Sequence, residues 1–193
     1  MVPYPVTTPS VRKLVRELGC DINDIESTGK NNRITKDNYR KIALGALKYF
    51  ILKVDPKKRI LFNPKESIDL SGNTGPFIQY TYARIQSILN KVEQVETNNI
   101  SEYKLNEKEK ETIKCINKYK DIIKVAEDEL SPAIICNYLY DLVKTFNSLY
   151  QNHNILNAET PQSTSIRLQI SLLTSKVIVN ITDLLGIELP DKM

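Results

Sequence analysis

Residues 71–84 read SGNTGPFIQYTYAR. Gly72 and Gly75 bound a turn that launches a helix, and side chains set 100° apart from there place Ile78, Ile85, Leu89 and Val92 on one stripe. That stripe predicts core. Phe77, Tyr80, Arg84, Ser87 and Lys91 fall on a second stripe about a quarter-turn away, where burial does not require large aromatic and cationic groups. Rings interleaved with cations suit unpaired nucleotides, because a ring stacks on a base, for roughly 1–3 kcal/mol, while the charges meet phosphate. Spacing alone also allows Phe77 and Tyr80 to pack against a neighbouring helix of the same chain, as aromatic residues at helical spacing most often do.

Outward from this stretch the chain reads as helices. Thr8 offers an N-cap hydroxyl, with Pro9 at the first helical position, to PSVRKLVREL, whose apolar side is Val11, Leu14, Val15 and Leu18. Gly19 stops it. The turn-rich STGKNNR follows, then a helical pattern unbroken from Thr35 to Lys53 through Ile42, Leu44, Ala46, Leu47, Phe50 and Ile51. DPKKRILFNPKESIDL, residues 55–70, loses that period and predicts an irregular bridge with a short strand at Ile60 to Phe62. Its Lys57, Lys58 and Arg59 are either solvated or set against phosphates. Beyond the central helix, Thr97 to Asn106 predicts a loop, and Glu107 to Glu127 a helix with Ile113, Ile116, Ile123 and Ala126 inward. SPAIICNYLYDLVKTFNSLYQ predicts a helix capped by Ser131, burying Ile135, Leu139, Leu142, Phe146 and Leu149, with Tyr138 at the edge of that stripe. The last long helix runs from about Pro161 to Leu185, carries Ile166, Ile170, Leu173, Val177, Ile181 and Leu184 inward, and ends at Gly186.

A chain of 193 residues, 41% hydrophobic and 26% charged, has room for one sizeable core and a small appendage. No apolar run approaches the roughly 20 residues of a membrane span. MVPYPVTTPS lacks a basic region followed by an apolar stretch, so the chain reads as cytoplasmic. Cys20, Cys115 and Cys136 are odd in number and far apart, and His153 is the single histidine, which argues against disulfides and a structural zinc site. Residues 1–41 hold 8 Lys and Arg against 5 Asp and Glu, three of the net four excess charges, so bulk charge does not single out a phosphate-binding region elsewhere.

Residue identity adds to this pattern. ALKYFIL, DPKKRILFNPKESIDL, TGPFIQYTYAR and the closing LLGIELPDKM together resemble the C-terminal part of arginyl-tRNA synthetases, from about Ile42 to Met193. The resemblance implies a helical anticodon-binding domain whose first helix lies against the anticodon loop of arginine tRNA. It makes Phe77, Tyr80 and Arg84 expected tRNA contacts, joined by Tyr138 ahead of L-x-D-L and by the terminal Met193. Lys192 stands where that family more often has arginine, which keeps charge and loses bidentate geometry.

TPSVRKLVRELGCDINDIESTGKNNRITKDNY resembles a different family, the peripheral-subunit-binding domain of dihydrolipoyl acyltransferases. This second resemblance implies a basic face of Arg12, Lys13, Arg16 and Arg33, presented to acidic groups on dihydrolipoamide dehydrogenase or another 2-oxo acid dehydrogenase subunit. Ser27 and Asn32 stand where that family usually has Gly, and a side chain costs stability at a turn needing positive φ.

The expected architecture is all-α: a two-helix module at 6–40, a connecting helix and irregular bridge at 41–70, and a helical bundle at 71–193. A complete synthetase activates arginine with ATP, yet the sequence has no HIGH-type or KMSKS-type signature, G-x-G-x-x-G or P-loop. No catalytic residue, metal or cofactor is therefore expected of these residues. Binding tRNA is the first function they support, docking to a dehydrogenase complex a second, and a folded remnant without activity a third.

Overall fold

The computed structural model describes residues 36–92, 103–190 and 193, and among them every regular element is helical. In chain order these are α1 (Lys36–Leu52), the single turn α2 (Pro64–Ser67), α3 (Gly75–Leu89), α4 (Glu107–Asn117), α5 (Tyr119–Asp128), α6 (Pro132–Asn152) and α7 (Pro161–Leu184). The expected N-terminal module, with Arg12, Lys13, Arg16 and Arg33, lies outside the described residues, as does most of the loop expected after Thr97.

The helix α3 forms where the glycine-bounded turn predicts it. Thr74 has extended backbone and its hydroxyl oxygen accepts the Phe77 N–H at 3.3 Å, which satisfies one of the donors a helix start leaves free, and Pro76 fits the first turn because it has none to satisfy. The Thr74 hydroxyl itself donates to the Asp69 carbonyl, tying the cap to the bridge. A Cβ on Gly75 would lie 2.4 Å from the Gly45 carbonyl oxygen, so α1 and α3 cross backbone against backbone at a point no side chain could occupy.

Ile78, Ile85 and Ile88 of α3 enter one core with Tyr49 of α1, Leu139, Leu142 and Phe146 of α6, and Ile178 and Ile181 of α7. Leu89 and Val92 pack at its margin, as the stripe predicts. The Tyr49 hydroxyl reaches Asn73 Oδ1 at 2.7 Å and the Cys136 carbonyl at 2.8 Å, joining α1 and α6 across the turn before α3. Burial pushes the Tyr49 phenol well above its ordinary range, so it stays a neutral donor.

Four expectations need correction. No strand forms at Ile60 to Phe62, because among the described residues there is no partner strand; Phe62 instead sits edge-on against Phe50 with centroids 5.2 Å apart, and Leu61 projects into solvent. The helix expected over Glu107 to Glu127 breaks at Lys118 into α4 and α5. The Cys115 carbonyl, which would accept the Tyr119 N–H in an unbroken helix, accepts instead from Lys118 N–H at 3.2 Å and from the Tyr138 hydroxyl at 3.0 Å. Past the break Ile122, rather than Ile123, packs against the core. Ser131 occupies the N-cap of α6 without a side-chain capping bond.

In α7 the simple apolar stripe fails. Leu173 and Leu184 are exposed, while Ser171, Thr174, Ser175 and Thr182 are buried. Small hydroxyl residues can face a core when they bond their own helix, and Ser171 donates to the Arg167 carbonyl at 2.7 Å and Thr182 to the Ile178 carbonyl at 2.8 Å. Gly186 ends α7 in the left-handed region at φ 64°, as expected.

Among the described residues one ion pair is buried outright. Arg167 Nε donates to Glu109 Oε1 at 2.8 Å, and Glu109 also accepts from the Tyr103 hydroxyl and the Asn106 N–H. Arg167 further donates to the Asn154 carbonyl and pairs with Glu159 at 2.9 Å. Burial works against the guanidinium charge, but the bonds to Glu109 and Glu159 outweigh it and hold Arg167 above its ordinary range. The pair therefore fastens the starts of α4 and α7 to each other.

Candidate nucleic-acid interface

The second stripe of α3 stays at the edge of the main core, against which Phe77 packs. Phe77, Tyr80 and Arg84 are half-buried, and Ser87 and Lys91 are exposed further along. What half-covers Phe77 and Arg84 is α6, while Tyr80 lies against Arg84. Phe77 lies tilted against Tyr140 with ring centroids 5.9 Å apart. The Arg84 guanidinium carbon stands 4.7 Å from the Tyr80 ring centroid and 4.8 Å from that of Tyr150, a cation held by two rings. Its Nη1 donates to Asn147 Oδ1 at 2.6 Å, and Asn147 Nδ2 donates in turn to the Thr81 hydroxyl at 2.8 Å. This chain of bonds orients the guanidinium while using one of its five N–H donors.

The result is a seam between α3 and α6 lined by four half-exposed rings and an oriented cation. Lys144, one turn beyond Tyr140 on α6, adds an exposed charge beside it. Such a surface can stack planar groups on the open ring faces and offer the remaining guanidinium edge to an anion.

Tyr138 does not join it. Residues two apart on a helix project about 160° from each other, so Tyr138 and Tyr140 face opposite ways on α6. Tyr138 is 6% exposed, its ring stacks on Tyr119 at 6.5 Å, and its hydroxyl serves the Cys115 carbonyl. Burial raises its phenol, again as a neutral donor. The tyrosine expected at the surface is thus a core residue, and Tyr140 and Tyr150 are the ones that face Phe77 and Arg84. Periodicity held the signal for Tyr140, which lies about 140° from the mean direction of Leu139, Leu142, Phe146 and Leu149, whereas Tyr138 lies about 60° from it.

Met193 is half-buried, and residues 186–190 ahead of it are anchored. Ile187 and Pro190 are buried, and the Lys48 ammonium donates to the Gly186 carbonyl. No group of three or more metal-ligating side chains forms among the described residues.

Residues 78–193 match the family model described as DALR anticodon binding domain. The chain belongs to the DALR anticodon binding domain family. The seam between α3 and α6 lies largely within the matched part of this DALR domain, with Phe77 immediately before it. Curated relatives named Arginine--tRNA ligase include one from Flavobacterium psychrophilum, 49% identical over 186 residues and covering 96% of this chain and 30% of the relative. One from Parabacteroides distasonis is 46% identical over 180 residues, covering 87% of this chain and 30% of its own. The DALR chain therefore spans about 30% of the length of these relatives.

Among solved structures, Thermus thermophilus arginyl-tRNA synthetase superposes with a TM-score of 0.77 at 26% identity over 95% of this chain and 30% of that one. Plasmodium falciparum arginyl-tRNA synthetase, with a TM-score of 0.69 at 24% identity over the same shares, shares the fold. Residues 5–38 match a second family model, described as e3 binding domain. The Flavobacterium alignment, at 96% of the chain, runs through most of that same stretch, so the likeness to ligases extends further toward the N-terminus than the motifs from Ile42 onward indicate.

Proposed function

We propose that this DALR domain binds the anticodon loop of arginine tRNA as the RNA-binding part of an arginine–tRNA ligase, with Phe77, Tyr80, Arg84 and Met193 as contacts and Tyr140 and Tyr150 extending the same face. The observation that supports it most is the ring-and-guanidinium seam between α3 and α6, whose rings and cation stay half-exposed at the edge of the core. Unstacked loop bases lie on the free faces of Tyr80 and Tyr150. Arg84 turns its remaining N–H edge to a phosphate or a base acceptor, and Lys91 and Lys144 add charge at the borders. The aminoacylation named in the relatives is proposed for a protein of their full length, to which this chain contributes tRNA recognition.

The test is fluorescence anisotropy with a labelled anticodon stem-loop of arginine tRNA. Phe77→Ala with Tyr80→Ala should weaken binding at least about 30-fold, the effect of losing two stacked bases at the low end of about 1 kcal/mol each. A large fall in melting temperature with unchanged affinity defeats the proposal, since the rings would then serve packing alone.

The match of residues 5–38 favours a second reading for the N-terminal segment, docking to dihydrolipoamide dehydrogenase or another 2-oxo acid dehydrogenase subunit through Arg12, Lys13, Arg16 and Arg33. Arg33→Glu should abolish co-elution with dihydrolipoamide dehydrogenase in size-exclusion chromatography. Failure of the parent chain to co-elute removes this reading.

A further inference from the structure

We propose that Gln79 is a positioning residue for RNA binding: a buried latch that fixes the C-terminal tail and so decides where Met193 stands, an inference that rests on the RNA-binding reading above. Gln79 is wholly buried, and its side-chain amide spends both N–H groups on backbone far away in sequence. Nε2 donates to the Lys41 carbonyl of α1 at 3.1 Å and to the Glu188 carbonyl of the tail at 2.8 Å. One side chain of α3 thus joins α1 to the last residues of the chain. Two carbonyls as partners settle which end of the amide is nitrogen, because a flipped group would set oxygen against oxygen.

The amide pays for nothing else. Its Oε1 is buried without a hydrogen-bond partner among the described residues, an expense that packing alone would avoid with a leucine or methionine. The neighbouring backbone is also shaped around it. A Cβ on Gly45 would lie 2.5 Å from Gln79 Nε2, so the glycine leaves the space in which the amide sits. The tail is held on either side of the latch, by Lys48 at Gly186 and by the burial of Ile187 and Pro190. Gln79 grips the middle of this stretch.

Geometry then connects the latch to the aromatic seam. Gln79 projects about 160° from Phe77 and about 140° from Arg84 around α3, so the tail crosses the far side of the helix from the rings. Five residues from Glu188 to Met193 reach at most about 17 Å, against a helix diameter of about 10–12 Å. Holding the Glu188 carbonyl on Gln79 therefore limits where Met193 can stand to within that reach of a fixed point. A free tail would leave the terminal side chain spread over a wide volume, with its ordering charged against each binding event.

The experiment uses the full chain with Gln79→Met, Met193→Ala and both together. Gln79→Met should speed carboxypeptidase release of Met193 and Lys192, followed by mass spectrometry, about tenfold, the size of losing two buried hydrogen bonds together. It should also weaken binding of the anticodon stem-loop several-fold, and the double variant should bind no more weakly than the weaker single one. Gly45→Ala is the second variant, because the nearest atoms its methyl group would meet are the amide end of Gln79, which it would displace. It should reproduce both effects. Unchanged trimming in both variants overturns the latch. Faster trimming with unchanged affinity, or with additive losses in the double variant, overturns the positioning role. No binding by the parent chain defeats the RNA reading and the role with it, while the trimming rates still decide separately whether Gln79 holds the tail.

Discussion

Replacing Arg84 by lysine and by methionine separates its two possible duties, bracing the α3–α6 seam and meeting phosphate. As a brace, the guanidinium makes one charge-assisted hydrogen bond to Asn147 at 2.6 Å and two ring contacts at 4.7 and 4.8 Å. The bond is worth about 1.5–3 kcal/mol and each half-exposed ring contact about 0.5–1 kcal/mol. Methionine forfeits all three, so Arg84→Met should destabilise the fold by about 2–4 kcal/mol, moderated because water can reach part of the site. Lysine keeps a cation near both rings and can still donate to Asn147, so Arg84→Lys should cost about 1–2 kcal/mol. With a urea m-value of about 2 kcal/mol/M, these are midpoint shifts of about 1–2 M and about 0.5–1 M.

The phosphate duty shows in a different observable. Each phosphate neutralised on a single strand adds about 0.7 to the steepness of log K against log salt. Arg84→Met should therefore flatten the slope for the anticodon stem-loop by about 0.7, measured by anisotropy between 50 and 200 mM salt. Arg84→Lys should keep the parent slope at reduced affinity. If Arg84→Met destabilises the fold as calculated and leaves the slope unchanged, Arg84 is an internal strut, and the anion-binding part of the proposed site is wrong.

Three other outcomes follow from the geometry. Arg167→Met should destabilise the fold by about 3–5 kcal/mol in chemical denaturation, because it leaves Glu109 charged, buried and deprived of its cation; Glu109→Met in the same chain should recover most of that loss. Tyr138→Phe should lower stability by about 1 kcal/mol through loss of the bond to the Cys115 carbonyl and leave stem-loop affinity unchanged, which checks its removal from the site. Burial pushes the Cys136 thiol up to about 12, so the reactive thiolate is scarce at neutral pH; this cysteine should react with a thiol reagent at pH 8 only in denaturant, and labelling in the native chain would contradict its placement.

The long helices were readable wherever a single rule governed them. In α3 the glycine turn, Thr74, Pro76 and an isoleucine stripe all point to the same element, and the aromatic stripe beside it emerges where spacing places it. The reading failed where tertiary partners changed the local rule. Nothing within Glu107 to Glu127 announces a break at Lys118, where the Cys115 carbonyl accepts from the hydroxyl of Tyr138, some twenty residues downstream. Counting only apolar residues in α7 puts Leu173 and Leu184 inside and overlooks Ser171 and Thr182, which satisfy their hydroxyls on their own helix. At the site, Phe77, Tyr80 and Arg84 could be grouped from one helix, but their partners Tyr140, Asn147 and Tyr150 come from another, and no spacing within a single segment reveals which side chains meet across a seam.

The helix α3 is asked to do three things on three sides, and this constrains what it can carry at each position. Ile78, Ile85 and Ile88 face the core, Phe77, Tyr80 and Arg84 face the seam with α6, and Gln79 faces the tail and α1. With 3.6 residues per turn, a change that rotated the helix to improve one face would misplace the other two. The backbone contact of Gly75 with Gly45 blocks such a rotation, since it sets the approach of α3 to α1 at the N-terminal end where all three faces begin. Substitutions along α3 should therefore sort by angle rather than by distance from the proposed RNA surface. Core positions should lower stability first, seam positions affinity first, and Gln79 the order of the tail first, even though Gln79 lies only one residue from Tyr80 and two from Phe77.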